Sequence, residues 1–171
     1  MKTILTPEHW QNICELVKPI ALQHIFPYIK SKRVRSGVIS ELFETISATY
    51  YNSVGIPTEA CKNDTEPDLY FTEIDKPCEI KVTSSNKREW MGNHISKKSS
   101  EFILISWEYK EATDTLFGTQ PEDLSFCVIN VFLDKDDWMT LGKEYNGTKI
   151  TSKMLDKKKL NILVDGSRKK I

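Results

Sequence analysis

The sequence predicts an α/β domain in which helices pack beside a mixed sheet of about five strands. Two segments, FILISW and FCVINVFL, are apolar, rich in β-branched and aromatic residues, and of the length of a buried strand. A third segment, residues 37–53, repeats its apolar residues at helical spacing. These observations predict a sheet with a buried centre and a long helix packed beside it.

The first element in chain order is predicted to be a helix that ends near Lys18. Thr6 followed by Pro7 is typical of an N-cap and a first helical position. Pro19 and Pro27 are expected to break the next stretch into a short helical piece, IALQHIF, and a connector. The basic segment KSKRVRSG is predicted to be a polar turn.

The remaining elements follow from local patterns. A second helix is predicted over GVISELFETISATYYNS and is expected to end before Gly55 and Pro57. Two β-rich segments, DLYFTEI and CEIKVTS, are separated by Asp75-Lys76-Pro77, which is a hairpin signal. DKDDWMTLG is interpreted as a short helix with an acidic start, and KLNILVDG as a last edge strand before the basic tail.

Length and composition indicate one soluble domain. The chain has 171 residues, of which 39% are hydrophobic and 28% charged, as in globular proteins. The apolar runs are too short to span a bilayer, and polar residues interrupt the N-terminus before a signal-peptide apolar region develops. We therefore expect a cytoplasmic protein with no membrane partner.

Cysteine and charge usage narrow the function classes. The four cysteines form no CxxC pair and the three histidines show no zinc-ligand spacing, so reduced, mostly buried thiols are expected. The net charge is zero, but residues 143–171 hold nine basic against three acidic residues, a net of +6. Residues 108–137 hold eight acidic against two basic residues, a net of −6. A simple polycationic nucleic-acid binder is disfavoured, although a basic face remains compatible with these totals.

Charged residues cluster on the predicted hairpin. Side chains alternate along a strand, so Glu79 and Lys81 share one face while Ile80 points to the buried face. Asp68, at the start of the preceding strand, is placed to lie across the hairpin from Glu79. An ordinary exposed Glu–Lys pair is the simplest interpretation, but charges clustered on an apolar sheet need a compensating ion or ligand.

These residues resemble the motifs of the PD-(D/E)xK nucleases, which include many restriction endonucleases and archaeal-type Holliday-junction resolvases. Pro67-Asp68 matches the PD element, and Glu79-Ile80-Lys81 matches (D/E)xK. The stretch VRSGVISELFE is similar to an N-terminal motif in which a glycine precedes a helix that bears a metal-linked glutamate. Glu41 takes that glutamate's place, with Glu44 as the alternative, and the resemblance covers residues 33–85.

The resemblance implies a restriction-endonuclease-like core and a Mg²⁺ site, with Mn²⁺ expected to substitute. Asp68, Glu79, the main-chain carbonyl of Ile80 and Glu41 would bind the metal, because Mg²⁺ prefers hard oxygen ligands. Lys81 would hold the attacking water and stabilise charge beside the phosphate. A role for Lys81 as a proton acceptor remains open, and no nucleotide cofactor is implied.

The segment after the (D/E)xK strand, SSNKREWMGNHISKKSS, is the first choice for DNA contact. It is polar and basic, and it would leave the metal site beside the scissile strand. The alternative is a solvated surface loop with Trp90 in the core. The candidate contact residues are Lys87, Arg88, Asn93, His94, Lys97 and Lys98.

The leading functional hypothesis is a Mg²⁺-dependent endonuclease of the type II restriction kind. It would act on double-stranded DNA as a homodimer, since one active site per chain needs a second copy to cut both strands. A Holliday-junction resolvase or repair nuclease, and a non-catalytic DNA-binding module, are the alternatives. The chain then divides into an N-terminal helical region (1–33), a catalytic core (34–133) and a C-terminal extension with a basic tail (134–171).

Overall fold

The computed structural model describes residues 4–63, 66–84, 88–92, 100–141, 147–151 and 153–166. Within these ranges the chain is an α/β domain with two α-helices, α1 (Pro7–His24) and α2 (Lys32–Ser53), beside a mixed sheet of six strands. The predicted α/β class is confirmed, with one strand more than expected. Neither of these two helices is long and apolar enough to cross a membrane.

Helix α1 begins where predicted but ends later. The Thr6 hydroxyl accepts a hydrogen bond from the His9 amide at 3.3 Å, as an N-cap does. The predicted break at Pro19 is wrong, because the helix runs through this residue to His24. Proline in a helix interior costs about 3 kcal/mol. Continued burial of the apolar stripe on both sides of Pro19 offsets that cost, since Val17 and Ala21 are both fully buried.

Helix α2 begins five residues earlier than predicted, within the segment interpreted as a polar turn. Ser31 caps it by accepting a hydrogen bond from the Val34 amide at 3.4 Å. Arg35 points inward, and its guanidinium donates to the carbonyls of Ile29 at 2.5 Å and Phe26 at 3.0 Å. A basic side chain that satisfies buried carbonyls cannot be distinguished from a solvated one by sequence pattern.

The described residues form eleven strands in three sheets, and the largest sheet has the order β1-β2-β3-β5-β8-β11. In that sheet β3 and β5 are parallel, and every other neighbouring pair is antiparallel. The strands are β1 (Thr58–Ala60), β2 (Leu69–Phe71), β3 (Lys76–Thr83), β4 (Glu89–Gly92), β5 (Ser100–Lys110), β6 (Thr113–Thr115), β7 (Gly118–Gln120), β8 (Asp123–Leu133), β9 (Met139–Leu141), β10 (Gly147–Thr151) and β11 (Asn161–Asp165).

Several strand predictions are confirmed. The two apolar runs form the long antiparallel pair β5–β8, and β11 lies at an edge of the six-stranded sheet. The predicted hairpin is the antiparallel pair β2–β3. Its connection is a 3-10 turn, Thr72–Ile74, followed by Asp75 in the left-handed conformation at φ 50°.

The predicted short helix near residue 135 is only a 3-10 turn, Lys135–Asp137, and β9 follows it.

Both faces of the six-stranded sheet are covered by other elements. On one face, α1 and α2 cover β5 residues such as Ile103 and Ile105. On the other face, the small sheet β4-β10-β9 contributes Trp90 and Ile150, which pack with Phe102 on β5. All four cysteines are free, and three of them are buried, as the sequence predicted.

Candidate functional site

The charged cluster lies where β2 and β3 pair. The register places Leu69 opposite Cys78, so Asp68, one residue before β2, lies opposite Glu79. Residues directly opposite in an antiparallel pair point to the same face of the sheet. Ile80 is 1% exposed on the opposite face, as the alternation predicted. The local fold therefore brings Asp68, Glu79 and Lys81 to one side of the sheet.

Three oxygen atoms converge on the Lys81 ammonium. Its Nζ lies 3.4 Å from Asp68 Oδ2, 3.4 Å from Glu79 Oε2 and 3.1 Å from the main-chain oxygen of Ile80. The Ile80 amide also donates to Asp68 Oδ2 at 2.6 Å, which holds that carboxylate against β3. The three charged side chains are only 18–19% exposed, so they lie in a largely desolvated site.

The electrostatics of this cluster keep Lys81 charged. Burial pulls the pKa of the Lys81 ammonium down, but the carboxylates of Asp68 and Glu79 outweigh burial and leave that pKa above its ordinary value. Opposite charges within a few ångströms stabilise the protonated form. In this arrangement Lys81 is a hydrogen-bond donor and a positive charge.

The helix carboxylate that interacts with this cluster is Glu44. Burial, followed by repulsion from Asp68 and from Glu41, raises the pKa of Glu44 to about 7. A hydrogen bond from the Ser40 hydroxyl at 3.3 Å and attraction to Lys81 act in the opposite direction. Glu41 is exposed, whereas Glu44 is half-buried. Its burial and its charge interactions with Asp68 and Lys81 therefore favour Glu44, the second choice from sequence, as the α2 acid beside the cluster.

Cys61 was not singled out from the sequence, although it lies opposite Asp68 in the pairing of β1 with β2. Its amide donates to the main-chain oxygen of Asp68 at 3.0 Å, which continues the β1–β2 ladder by one residue. Burial, together with repulsion from Asp68 and Glu44, raises the pKa of this thiol. Cys61 thus borders the cluster as a protonated, uncharged group. Only the register of β1 against β2, which the sequence does not give, could have identified it.

The donor set suits a hard divalent cation. Asp68, Glu79 and the Ile80 carbonyl already place three oxygens around one positive charge, and Mg²⁺ prefers such ligands. Within the described part of the chain, no group of three His, Cys, Asp or Glu side chains is arranged to hold a metal ion. The converging set contains two carboxylates and one main-chain oxygen, and Glu44 is the α2 acid whose charge interacts with it.

Most of the predicted DNA-contact residues lie outside the described residues: Lys87, Asn93, His94, Lys97 and Lys98. Arg88 is described, and it is only 8% exposed, so a phosphate contact would require its side chain to leave its buried position. Trp90 is fully buried, and its indole N–H donates to the Ile105 carbonyl at 2.9 Å. The structural interpretation of Trp90 is therefore confirmed.

Comparison with known proteins adds no family assignment. No protein-family model matches the chain, and no curated protein matches it significantly. The resemblance to the PD-(D/E)xK nucleases therefore depends on the order and spacing of three short motifs, around Asp68, around Glu79 to Lys81, and in the stretch VRSGVISELFE.

Proposed function

We propose that this protein is a Mg²⁺-dependent endodeoxyribonuclease that hydrolyses phosphodiester bonds in double-stranded DNA. The observation that supports this most directly is the convergence of Asp68, Glu79 and the Ile80 carbonyl on one cationic centre. A desolvated pair of carboxylates can hold a divalent cation, and that cation together with the neighbouring lysine would neutralise charge on a phosphate. The match of these same residues to a nuclease motif gives the reaction class.

Each residue has a distinct role in the proposed reaction. Asp68, Glu79 and the Ile80 carbonyl would hold Mg²⁺, and Glu44 would complete the site through water or a second ion, with Glu41 as the alternative helix acid. When bound, the metal acidifies water and neutralises charge on the leaving oxygen. Lys81 donates hydrogen bonds to the attacking water and to the phosphate. The amide of Ile80 fixes Asp68 so that its carboxylate stays aimed at the site.

The proposal extends to a site-specific type II restriction endonuclease that acts as a homodimer. Each chain offers one cluster of this kind among its described residues, whereas cleavage of both strands needs two sites. A two-fold axis would then match a palindromic DNA sequence. The segment between β3 and β5 would supply the contacts to bases and phosphates.

The first experiment is digestion of supercoiled plasmid during a Mg²⁺ titration, with Mn²⁺ in parallel. We expect nicking or linearisation that depends on the metal. Asp68→Asn, Glu79→Gln and Lys81→Ala should each reduce the rate at least about 100-fold, as expected when a preorganised electrostatic group is removed. Glu73→Gln is the matched control, because this acid is exposed on the turn of the same hairpin.

The second experiment distinguishes the proposal from its alternatives. Digestion of a long sequenced DNA should give discrete ends if cleavage is site-specific. Cleavage restricted to four-way junctions would instead identify a resolvase. The absence of nicking in both Mg²⁺ and Mn²⁺ would refute catalysis and favour a non-catalytic DNA-binding module.

A further inference from the structure

A projecting hairpin, residues 111–122, carries the most exposed apolar side chains of the described chain. All residues of β6 and β7 are exposed, and these two strands form a sheet of their own. Leu116 and Phe117 at the tip are each 100% exposed. Gly118, at φ 116°, permits the tight turn that presents them. The hairpin continues the register of the β5–β8 pair, whose last partners are Lys110 and Asp123, so it extends from the main sheet and presents two fully exposed apolar side chains, which is typical of an interaction surface.

The charge of the hairpin disfavours DNA as its partner. Glu111, Asp114 and Glu122 are all exposed on it, and the next residue, Asp123, begins β8. Phosphate groups would repel this acidic arm, whereas a basic protein surface would attract it. The partner is therefore expected to combine exposed apolar side chains with positive charge.

The same chain has such a surface, which we call the basic patch. It is formed by exposed residues before and at the start of α2, where Tyr28 is 78% and Val34 51% exposed. Lys30, Lys32 and Arg33 lie between them in sequence and are exposed as well. Apolar and positively charged groups are thus interleaved on one short segment.

The hairpin and the basic patch lie at the same end of the molecule. Arg35 on α2 lies 5.3 Å from the ring of Tyr109, near the end of β5, and the Tyr109 hydroxyl donates to Glu122 at 2.9 Å. The indole N–H of Trp107 also donates to the Ser36 hydroxyl at 3.0 Å. The base of the hairpin therefore adjoins the first turn of α2.

We propose that the hairpin of one copy docks on the basic patch of a second copy, forming a two-fold symmetric dimer. In an isologous interface each contact occurs twice, so two hairpins and two patches are buried together. Leu116 and Phe117 pack against Tyr28 and Val34. The acids of the hairpin face the partner's lysines. This interface does not depend on nuclease activity, although it would supply the two-fold axis that the proposed function needs.

The test is sedimentation equilibrium on the full chain in buffer that contains EDTA. The wild type should be a dimer at micromolar concentrations. A tip variant, Leu116→Ser with Phe117→Ser, should be monomeric with an unchanged circular dichroism spectrum. Met154→Ser, which changes an exposed apolar residue elsewhere, is the control and should remain a dimer.

Charge reversal makes the test specific to the proposed pairing. Glu111→Lys with Asp114→Lys should be monomeric, and so should Lys30→Glu with Lys32→Glu. When mixed, the two variants should form a heterodimer, because each reversed hairpin then meets a reversed patch and each native hairpin a native patch. A monomeric wild type, homodimers of either charge variant, or a mixture that stays monomeric would overturn the proposal, whatever the nuclease assays show.

Discussion

The Lys81 ammonium offsets part of the negative charge of two carboxylates that the pairing of β2 with β3 brings together. Its ammonium is shared between Asp68 and Glu79 at equal distances of 3.4 Å, so neither acid holds it alone. Glu44 adds a third acid, and its pKa is raised first by burial and then by repulsion from Asp68 and Glu41. The metal-free site is therefore electrostatically strained at neutral pH, and removing an acid should relieve the strain.

Glu44→Gln should stabilise the metal-free protein above neutral pH. The folded-state pKa of Glu44, about 7, is above the ordinary value of 4.5, so the folded protein binds more protons than the unfolded chain between these values. Stability then falls as the pH rises through that window, and the whole penalty is present above it. Because Glu44 is only half-buried, solvent screening reduces the expected gain to about 1 kcal/mol.

Urea unfolding in EDTA measures this effect. The gain of the Glu44→Gln variant over the wild type should be present near pH 8 and mostly absent near pH 5. Glu41→Gln is the matched control, since Glu41 is exposed on the same helix and should give a smaller gain. An equal gain at both pH values would show that the pKa of Glu44 is not raised.

The sequence predicts part of this site well. The two-residue alternation of a strand determines that Glu79 and Lys81 share a face, and the hairpin signal places Asp68 opposite them. It does not distinguish Glu41 from Glu44, because residues three apart on a helix differ by only about 60° in direction. The orientation of α2 against the sheet makes that choice, and it depends on contacts distant in sequence.

At the scale of elements, the start of α2 depends on one buried cation. Arg35 is 8% exposed, bonds two carbonyls and stacks on the ring of Phe26 at 4.4 Å. These contacts join the chain between the helices to the first turn of α2. Arg35 is therefore a structural residue within a segment whose other basic residues are exposed.

Arg35→Met should destabilise the protein by about 2–4 kcal/mol, because it leaves the carbonyls of Ile29 and Phe26 without their buried donor. Equilibrium unfolding at fixed pH measures the loss. Lys62→Met is the comparison, since Lys62 belongs to an exposed ion pair with Glu59 and should lose less than about 1 kcal/mol. Similar losses in the two variants would mean that the Arg35 contacts contribute little.

Helices and strands could be predicted where their own residues show a clear local pattern, and were missed where distant contacts decide the structure. The long apolar strands β5 and β8 were identified because burial on both faces gives a continuous apolar run. The sheet β4-β10-β9 was not, because its strands are short, only alternate residues of β4 and β10 are buried, such as Trp90 and Ile150, and no residue of β9 is buried. The passage of α1 through Pro19 was missed because tertiary burial overrode local propensity.

At the scale of the whole molecule, metal binding and folding should be linked. A cation that binds the assembled site but not the unfolded chain stabilises the folded state by mass action. At a Mg²⁺ concentration tenfold above its Kd, the gain is about 1.4 kcal/mol, which corresponds to roughly 3–6 °C in Tm for a chain of this size.

Differential scanning calorimetry with and without Mg²⁺ tests the linkage without any DNA. The Mg²⁺-dependent rise in Tm should disappear in Asp68→Asn and Glu79→Gln and persist in Glu73→Gln. A rise of the same size in all four proteins would place the metal elsewhere on the molecule. No rise in the wild type would contradict a Mg²⁺ site at the hairpin.

Asp68 and Glu79 lie opposite each other because Leu69 pairs with Cys78. The length of the connection between β2 and β3 therefore does not determine whether the two carboxylates meet. Related chains can therefore gain or lose residues at the turn near Asp75 and keep the same pair of acids. A single insertion between Glu79 and Ile80 would be different, since every later side chain of β3 would change sides and Lys81 would enter the core. We expect natural length variation in this hairpin to be confined to its turn.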